Sequence, residues 1–539
     1  MLTKRVPWLL AVIAIFFVLR APVLAADPAA QLAAGIQEVI TAAVATGPIV
    51  AVSGKSVEVE PLRAFYEGRA FAPVWVDATG LNERGQALLR GFDAAGRDGL
   101  VPADYDPGSS ARGTGDILHL ATTDVGLSAA LLRYAFDIRR GRAVPEKMDE
   151  NQRIAPRPID PSQVLAGAVA APDIEAYLAL LAPADPFYLG LRQALDRYSA
   201  IAVAGGWPAI PAGGKLAVGV TDGRVYDLRR RLQISGDLAG DPLMTSSNRF
   251  DEGLREGVRR FQQRHGLAAT GEVNAATLKD LNVPVAVRIN QILINLERAR
   301  WLPEDLGDPY VLVNMAAFEL DVVQAGKSVL RMAVVVGERD KETPVFSDEI
   351  SYIEINPYWN VPKSIAYKEK LPQLRRNPYA LVGQNIRVFA PGGGAIDPAT
   401  VDWSTVGASF PYRLRQEPGP KNALGRIKFM FPNPYDVYMH DTPSRSLFKR
   451  QVRAFSHGCI RVEKPMELAE FLLGASWTRT RIQRTIDAGK NVAVALPRPV
   501  PVHLVYLTAW VDAAGVLQFR DDLYNRDARL VAALDASRE

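Results

Sequence analysis

The spacing of apolar residues divides this chain into a helical part and a strand-rich part. Over residues 61–212 apolar positions recur at helical intervals, as at Leu127 and Leu131, and Pro and Gly interrupt them often. From Pro309 onward, short runs of strand-forming residues replace the helical pattern. The chain is therefore predicted to be a multidomain α+β protein, with a helical scaffold domain at 61–212 and a mainly-β sandwich domain at 306–527.

A small helical domain is predicted between these two parts, at residues 224–284. Leu254, Val258 and Phe261 share one face of an amphipathic helix, and Asn274 is placed to cap a further helix. The run resembles the three-helix peptidoglycan-binding domain of many bacterial wall enzymes. The alternative is a small packing module that binds nothing.

The strand-rich part carries one long irregular insertion, predicted at about 360–419 as a lid or capping segment, with an ordinary surface excursion as the alternative. A connecting helix at 285–305 precedes the strands, and a further helix is expected from Pro465 to Leu473, with Gly474 ending it. The strands are expected at 310–315, 318–323, 329–336, 426–431 and 436–440, with a C-terminal hairpin of 502–511 and 516–520. The insertion's aromatic residues, Trp359, Trp403, Phe410 and Tyr412, are expected to form a contact surface.

The first 26 residues have the pattern of a secretory signal peptide. Lys4 and Arg5 precede an apolar stretch from Val6 to Leu19, which is shorter than the roughly twenty residues of a membrane-spanning helix. We therefore expect a periplasmic protein that begins with a lead-in segment at 27–60; an uncleaved anchor is the alternative. Lys4, Arg5 and Arg20 account for three of the four net positive charges, so the remainder carries +1 and gives no argument for nucleic acid as a partner.

Cys459 is the single cysteine of the chain, so no intramolecular disulfide can form. In an oxidising compartment a lone cysteine is a reactive thiol, an intermolecular bridge or an inert buried group. Two of the five histidines, His440 and His457, lie within twenty residues of it. An imidazole at hydrogen-bonding distance stabilises a thiolate, which favours a nucleophilic role for Cys459.

The two histidines have different expected roles. If residues 457–459 are extended, His457 and Cys459 share a face, and His440 reaches Cys459 from a neighbouring strand. We expect His440 to transfer the proton and His457 to shape the site. The N–H groups of Gly458 and Cys459 are candidate donors to an oxyanion, and the side chain or carbonyl of Asp441 is a candidate to fix the imidazole tautomer.

These residues resemble the signature of the L,D-transpeptidases, which have a YkuD-type catalytic domain. His440 is followed after fifteen residues by Ser456, His457, Gly458 and Cys459, and the segments 422–429, 439–442 and 357–362 resemble the family as well. The resemblance covers about Pro309 to Asp527. The order of signal, scaffold, peptidoglycan-binding domain and catalytic domain is similar to that of the large Gram-negative members, in which the insertion forms a capping subdomain.

The resemblance implies an acyltransferase that forms third-to-third peptidoglycan crosslinks. The Cys459 thiolate would attack the third stem residue of a tetrapeptide donor, release D-alanine, and pass the acyl group to the amine of an acceptor stem. Ser456 would help to shape the site, and Tyr438, Trp359 and Arg461 are expected to contact substrate. The family signature has Asn where this chain has Arg461, whose guanidinium is suited to a substrate carboxylate; an ion pair with Glu463 or another acid is the structural alternative. Carbapenems are expected to acylate the same thiol, cell-wall synthesis proteins are candidate partners, and no metal or organic cofactor is implied.

Three other functions remain open at this point. An L,D-carboxypeptidase would use water to resolve the same thioester. A zinc hydrolase would use His440, His457 and Cys459 as ligands. A non-catalytic wall-binding scaffold would rely on the helical domains alone.

Overall fold

The computed structural model describes residues 27–46, 49–50, 56–106, 116–241 and 247–536. The predicted signal peptide at 1–26 lies outside the described residues. Among the described helices, none is both long enough and apolar enough to cross a membrane.

The described chain forms two compact units. The first contains the described residues up to 93 together with 102–134 and 160–177, and the second contains 94–101, 135–159 and all described residues from 178 onward. The elements up to residue 203 are α1 Pro28–Thr46, β1 Ile49–Val50, β2 Ser56–Val57, α2 Val59–Glu67, β3 Val76–Asp77, β4 Gly80–Leu81, α3 Glu83–Asp93, α4 Ile117–Arg140, α5 Pro145–Met148, α6 Pro161–Ala170, α7 Ile174–Leu181 and α8 Pro186–Val203.

A buried carboxylate organises the core of the first unit. Asp124 accepts hydrogen bonds from the Tyr66 hydroxyl at 2.6 Å and from the backbone N–H of Trp75 at 2.6 Å. The Tyr66 hydroxyl also lies 2.7 Å from the Ser128 hydroxyl. Each of these polar groups is satisfied, as a buried network must be if it is to stabilise a fold.

Three helices form the small domain of the second unit, as the sequence predicts: α9 Arg224–Ser235, α10 Glu252–Arg264 and α11 Ala275–Leu281. Leu254, Val258 and Phe261 are fully buried in its core. The Asn274 side chain caps α11 by accepting from the Thr277 N–H at 2.9 Å. The connecting helix is α12, Val285–Trp301.

The rest of the second unit is mostly strand. The strands are β5 Tyr310–Asn314, β6 Glu319–Gln324, β7 Lys327–Gly337, β8 Phe346–Ile355, β9 Trp359–Asn360, β10 Ile386–Phe389, β11 Ala395–Ile396, β12 Arg413–Gln416, β13 Ile427–Met430, β14 Met439–His440, β15 Ala454–Ser456, β16 Ile460–Val462, β17 Val492–Val505, β18 Ala509–Val511 and β19 Leu517–Phe519. A helical N-terminal region is therefore followed by a mostly-β domain, which confirms the predicted fold class.

Nine of these strands make one sheet, in the order β15, β7, β16, β14, β13, β8, β17, β5, β6. Strand β7 also pairs with β6, so the hydrogen bonding closes into a circuit of eight strands with β15 attached to β7. The end of β7 carries two neighbours: Val334 and Val335 pair with β16, and Val336 and Gly337 pair with β15. Strand β7 thus anchors both strands that flank residues 457–459.

The insertion has its own sheet, in the order β11, β10, β12, β9, and a helical segment made of α13 Lys363–Ile365, a π-helical turn Ala366–Lys370 and α14 Leu371–Arg376. Trp403 and Phe410 are buried in its core, and Tyr412 packs against them. The expectation of an aromatic contact surface is therefore wrong for Trp403 and Phe410, because this segment is large enough to bury apolar side chains of its own.

The C-terminal region differs from the prediction in one strand and two helices. Helix α15 spans Pro465–Leu473 and ends at Gly474, as expected. The predicted hairpin strand at 502–511 is in fact two strands, because β17 pairs with β5 and β8 in the main sheet and β18 alone pairs with β19. Two helices that the sequence analysis did not identify are α16 Arg479–Asp487 and α17 Arg526–Ala536.

Candidate active site

Three strands bring charged and titratable side chains into one row of the sheet. His440 on β14 pairs with Lys428 on the antiparallel β13 and with Arg461 on the parallel β16. Paired residues of neighbouring strands point to the same side of a sheet. The imidazole therefore lies between two cations.

Cys459 immediately precedes the first residue pair of β14 and β16. Because Met439 pairs with Ile460, the residues before them, Tyr438 and Cys459, are neighbours, and the Ile460 N–H donates to the Tyr438 carbonyl at 3.1 Å. His440 lies on a strand that neighbours β16, as expected, but it is opposite Arg461 and not opposite Cys459. His440 is the diagonal neighbour of the thiol, two residues along, which remains within the reach of an aromatic side chain.

Residues 457–459 form a turn between β15 and β16, not the extended segment that was predicted. The Ser456 hydroxyl closes this turn by donating to the Cys459 carbonyl at 2.5 Å and accepting from the Gly458 N–H at 3.2 Å. Gly458 has φ = +111°, which residues with a Cβ rarely adopt. The motif therefore needs serine and glycine at these two positions to present Cys459 at the end of the turn.

The Asp441 carbonyl fixes the tautomer of His440. Nδ1 of His440 lies 2.5 Å from this carbonyl oxygen, so Nδ1 carries the hydrogen and Nε2 keeps its lone pair. The Asp441 carboxylate has another role, since it accepts from the Arg426 N–H at 2.9 Å and packs against Gly425, where any Cβ would collide with it. Of the two groups considered for orienting the imidazole, the carbonyl is the one that does so.

Burial keeps both reacting groups neutral in this conformation. It lowers the pKa of His440 to about 3, and the charges of Arg461 and Lys428 act in the same direction. Burial also raises the pKa of the Cys459 thiol, against the opposing effects of hydrogen bonds from Tyr438 and of the two cations. The expectation that a histidine stabilises a preformed thiolate is therefore not met, and the proton must leave the sulfur during the attack.

One backbone N–H is left to stabilise an oxyanion. The Gly458 N–H is already engaged by Ser456. The Cys459 N–H donates to no group in the part of the chain that the structure describes. Of the two predicted donors, only the N–H of Cys459 remains available.

Arg461 has no carboxylate partner among the described residues. Its guanidinium lies 3.5 Å from the Phe455 carbonyl, and burial lowers its pKa. Glu463 accepts instead from the Ala333 N–H at 3.1 Å, and the nearby Glu338 pairs with Lys341 at 3.0 Å. The structural ion pair with Glu463 is therefore not formed, and a half-buried guanidinium without a carboxylate partner among the described residues suits an external carboxylate.

The insertion reaches the catalytic turn through His457. Nε2 of His457 lies 2.5 Å from the Glu369 carboxylate on the π-helical turn. Trp359 lies on β9, packs on the core of the insertion, and has the Lys370 ammonium 5.9 Å from its ring centre. His457 thus links the turn to the insertion, while Trp359 packs on the core of the insertion.

The donors proposed for a zinc site do not converge. No group of three or more His, Cys, Asp or Glu side chains that could hold a metal ion occurs within the described ranges, and these include His440, His457 and Cys459. His457 faces Glu369, and Nδ1 of His440 faces a carbonyl. The residues present do not fit a zinc centre.

Two residues that were not expected at this site contact it. Lys428 lies in a predicted strand, and its ammonium is 4.1 Å from the ring centre of Tyr438. Thr343 lies between β7 and β8 and donates to the Gly458 carbonyl at 2.8 Å. Lys428 lies between the buried Ile427 and Phe429, an alternation that could have placed it on the opposite face of the strand, whereas no local signal marks Thr343.

Three family models match this chain. Residues 308–494 match the L,D-transpeptidase catalytic domain called YkuD, 60–195 match a scaffold domain, and 221–281 match a "Putative peptidoglycan binding domain". A protein of Haemophilus influenzae named "Putative L,D-transpeptidase" is 34% identical over 241 residues, which is 44% of this chain and 48% of that relative. The chain thus spans about half the length of this curated relative.

Solved structures of L,D-transpeptidases also show similarity. The crystal structure of the enzyme from Xylanimonas cellulosilytica (residues 123–326) is 15% identical with a TM-score of 0.18, covering 55% of this chain and 99% of that one. The structure from Stackebrandtia nassauensis is 13% identical with a TM-score of 0.22, covering 55% of this chain and 96% of that one. A third, an avibactam carbamoyl enzyme, is 12% identical with a TM-score of 0.18, covering 58% of this chain and 98% of that one.

The match of residues 308–494 includes the whole row of His440, Arg461 and Lys428 and the turn that carries Cys459. The matches at 60–195 and 221–281 account for the helical part of the chain. Residues 308–494 thus carry an L,D-transpeptidase catalytic domain of the YkuD type, and the chain combines this domain with a scaffold domain and a putative peptidoglycan-binding domain.

Proposed function

We propose that this chain is a cysteine-dependent acyltransferase that joins the third residues of two peptidoglycan stem peptides and releases D-alanine from a tetrapeptide donor. The observation that carries the proposal is the arrangement around Cys459. The thiol lies at the end of a turn closed by Ser456, next to Tyr438 and diagonal to a neutral His440, with an unengaged N–H on its own backbone. This set supplies a nucleophile, a base and an oxyanion donor.

The first half of the reaction is acylation of the thiol. The Cys459 sulfur attacks the carbonyl carbon of the third stem residue while the S–H proton passes to Nε2 of His440. The electron pair of the carbonyl moves to its oxygen, which accepts a hydrogen bond from the Cys459 N–H. When the carbonyl re-forms, the C–N bond breaks, D-alanine leaves with the proton from His440, and a thioester remains on Cys459.

The second half transfers the acyl group. The side-chain amine of the third residue of an acceptor stem attacks the thioester carbon and gives a proton to His440. The C–S bond then breaks, the sulfur regains that proton, and the new amide is the crosslink. Water in place of the amine would give the carboxypeptidase reaction.

Arg461 supports recognition of an anionic substrate. Its guanidinium lacks a carboxylate partner among the described side chains and lies beside His440 in the sheet. Stem peptides carry free carboxylates, and a guanidinium binds a carboxylate through two parallel hydrogen bonds. We assign Arg461 to a carboxylate of the donor stem.

We also propose a location, inhibitors and partners for this acyltransferase. The signal-like pattern at 1–26 supports export to the periplasm, where the stem peptides are found. Carbapenems, as strained acyl donors, are expected to acylate Cys459, and cell-wall synthesis proteins are expected partners.

Product analysis tests the proposal. The chain is incubated with purified disaccharide-tetrapeptide, and the muropeptides are separated and identified, with Cys459→Ala in parallel. We expect third-to-third crosslinked dimers and free D-alanine from the parent protein only. Tripeptide without dimers would assign the carboxypeptidase reaction, and sacculus binding without turnover would assign the non-catalytic scaffold.

A further inference from the structure

A buried hydroxyl that lies 115 residues before Gly458 in the sequence holds the catalytic turn in place. The Thr343 hydroxyl donates to the Gly458 carbonyl at 2.8 Å and accepts from the Gly337 N–H at 2.9 Å. Thr343 has no solvent exposure. Because a hydroxyl has one hydrogen, accepting from Gly337 and donating to Gly458 fixes its orientation.

This contact determines where the Cys459 N–H points. The Gly458 carbonyl and the Cys459 N–H belong to one peptide unit, which is planar and trans, so the two groups point in opposite directions. Holding the carbonyl on Thr343 therefore directs the N–H away from Thr343. Gly458, at φ = +111°, offers little conformational resistance of its own to rotation of this peptide.

A second layer of buried groups fixes Thr343. The Arg526 guanidinium on α17 donates to the Thr343 carbonyl at 3.2 Å and forms ion pairs with Asp149 at 3.1 Å and Glu342 at 2.7 Å. The Tyr524 hydroxyl donates to the Gly337 carbonyl at 2.7 Å. The C-terminal helix and the segment that precedes it thus support both ends of the 337–343 segment.

We propose that Thr343 is a positioning residue for acyl transfer, which aims the Cys459 N–H at the oxyanion through the Gly458 peptide. This inference rests on the proposed function. Thr343 itself does not contact the substrate and takes no part in proton transfer. Its effect is confined to steps in which negative charge develops on a carbonyl oxygen, because only these steps use the aimed N–H.

The test compares two reactions of the same sulfur. Acylation by the disaccharide-tetrapeptide, followed as D-alanine release, develops an oxyanion. Alkylation by iodoacetamide displaces iodide and places no charge on a carbonyl oxygen. Thr343→Val removes the hydroxyl at nearly constant volume, Thr343→Ser retains it, and Thr343→Ala is a second variant in which a water molecule has room to enter.

We expect Thr343→Val to lower kcat for D-alanine release by about 10- to 100-fold with little change in KM, and to leave the alkylation rate within about twofold. Thr343→Ser is expected to keep most of the parent kcat. The kcat of Thr343→Ala is expected to lie between those of the valine and serine variants. Unchanged D-alanine release in the valine and alanine variants, or an equal fall in acylation and alkylation, would overturn the inference. Absence of D-alanine release from the parent protein would instead count against the proposed function.

Discussion

His440 and Arg461 lie opposite each other in the parallel pairing of β14 with β16, and the guanidinium is one of the charges that keep the imidazole neutral. The same guanidinium has no carboxylate partner among the described residues. Arg461 can therefore both lower the pKa of the base and bind the donor. It also connects substrate binding to proton transfer, because a carboxylate bound to Arg461 would offset its charge beside His440.

Replacing Arg461 should affect binding more than fold. Arg461→Gln removes a charge-assisted hydrogen-bond donor, so we expect kcat/KM for the tetrapeptide to fall by roughly 10- to 100-fold, mainly through KM. Arg461→Lys keeps the charge but lacks the planar guanidinium, so its kcat/KM should lie between the values of the parent protein and of Arg461→Gln. Steady-state kinetics of D-alanine release measures this effect.

Arg479→Gln is the matched control for charge. Arg479 is exposed on α16 and pairs with Glu467 at 3.2 Å. Its loss removes the same charge from the same domain and should leave KM unchanged. Equal effects of the two substitutions would show that Arg461 acts only through net charge.

The thiol should titrate above an ordinary cysteine. Because burial raises the pKa of Cys459, the rate of alkylation at limiting reagent should rise with pH around a midpoint above about 8.5. Cys459 is the single cysteine, so the urea-unfolded chain serves as its own reference and should show the ordinary midpoint. A folded midpoint below that of the unfolded chain would indicate a preformed thiolate and contradict a neutral pair of Cys459 and His440.

The insertion should restrict access to the thiol through the contact of His457 with Glu369. Glu369→Gln weakens this contact. Because the side chains of His457 and Glu369 are 31% and 43% exposed, the contact holds the insertion against the turn by at most about 1 kcal/mol. Alkylation of Cys459 at pH 7 should accelerate by up to about fivefold.

Glu417→Gln removes the same charge from the same insertion and is the control for this prediction. Glu417 pairs with Arg415 inside the insertion at 2.8 Å, and its replacement should not change the alkylation rate. If Glu369→Gln alkylates no faster than Glu417→Gln, the contact does not restrict access.

Acid should destabilise the catalytic domain through His440. The folded pKa of His440, about 3, lies below the unfolded value of about 6.5, so the unfolded chain takes up a proton that the folded chain does not. Stability is therefore lost as the pH falls below the unfolded pKa. Relative to His440→Gln, the parent protein should lose about 1 kcal/mol of unfolding free energy between pH 7.5 and 5.5, measured by urea denaturation. Parallel pH profiles of the two proteins would contradict the assigned burial of a neutral imidazole.

The helices and strands of this chain were largely predictable because their signals are local. Asn274 begins α11 and Gly474 ends α15 at the expected positions, and the buried face of α10 follows its helical spacing. The fold class followed from the change of period near Pro309. The split of the predicted hairpin strand at 502–511 was not predictable, because β17 is defined by its partners β5 and β8 and not by its own residues.

The site was predictable in its residue types but not in its pairings. The motif identified Cys459 and His440, whereas the register places Tyr438 beside the first and Arg461 beside the second. Register depends on pairing between strands that are distant in sequence. For the same reason Thr343, 115 residues before Gly458, could not be connected with the catalytic turn from sequence alone.

The most direct test of the account is the mass of the intact protein after reaction with the donor. The chain is mixed with disaccharide-tetrapeptide without acceptor, quenched in acid and analysed by mass spectrometry and peptide mapping. We predict an adduct on Cys459 equal in mass to the donor less one D-alanine, absent from Cys459→Ala and diminished in His440→Gln. D-alanine release that persists in Cys459→Ala, or an adduct located on another residue, would contradict the central claim that Cys459 carries the acyl group.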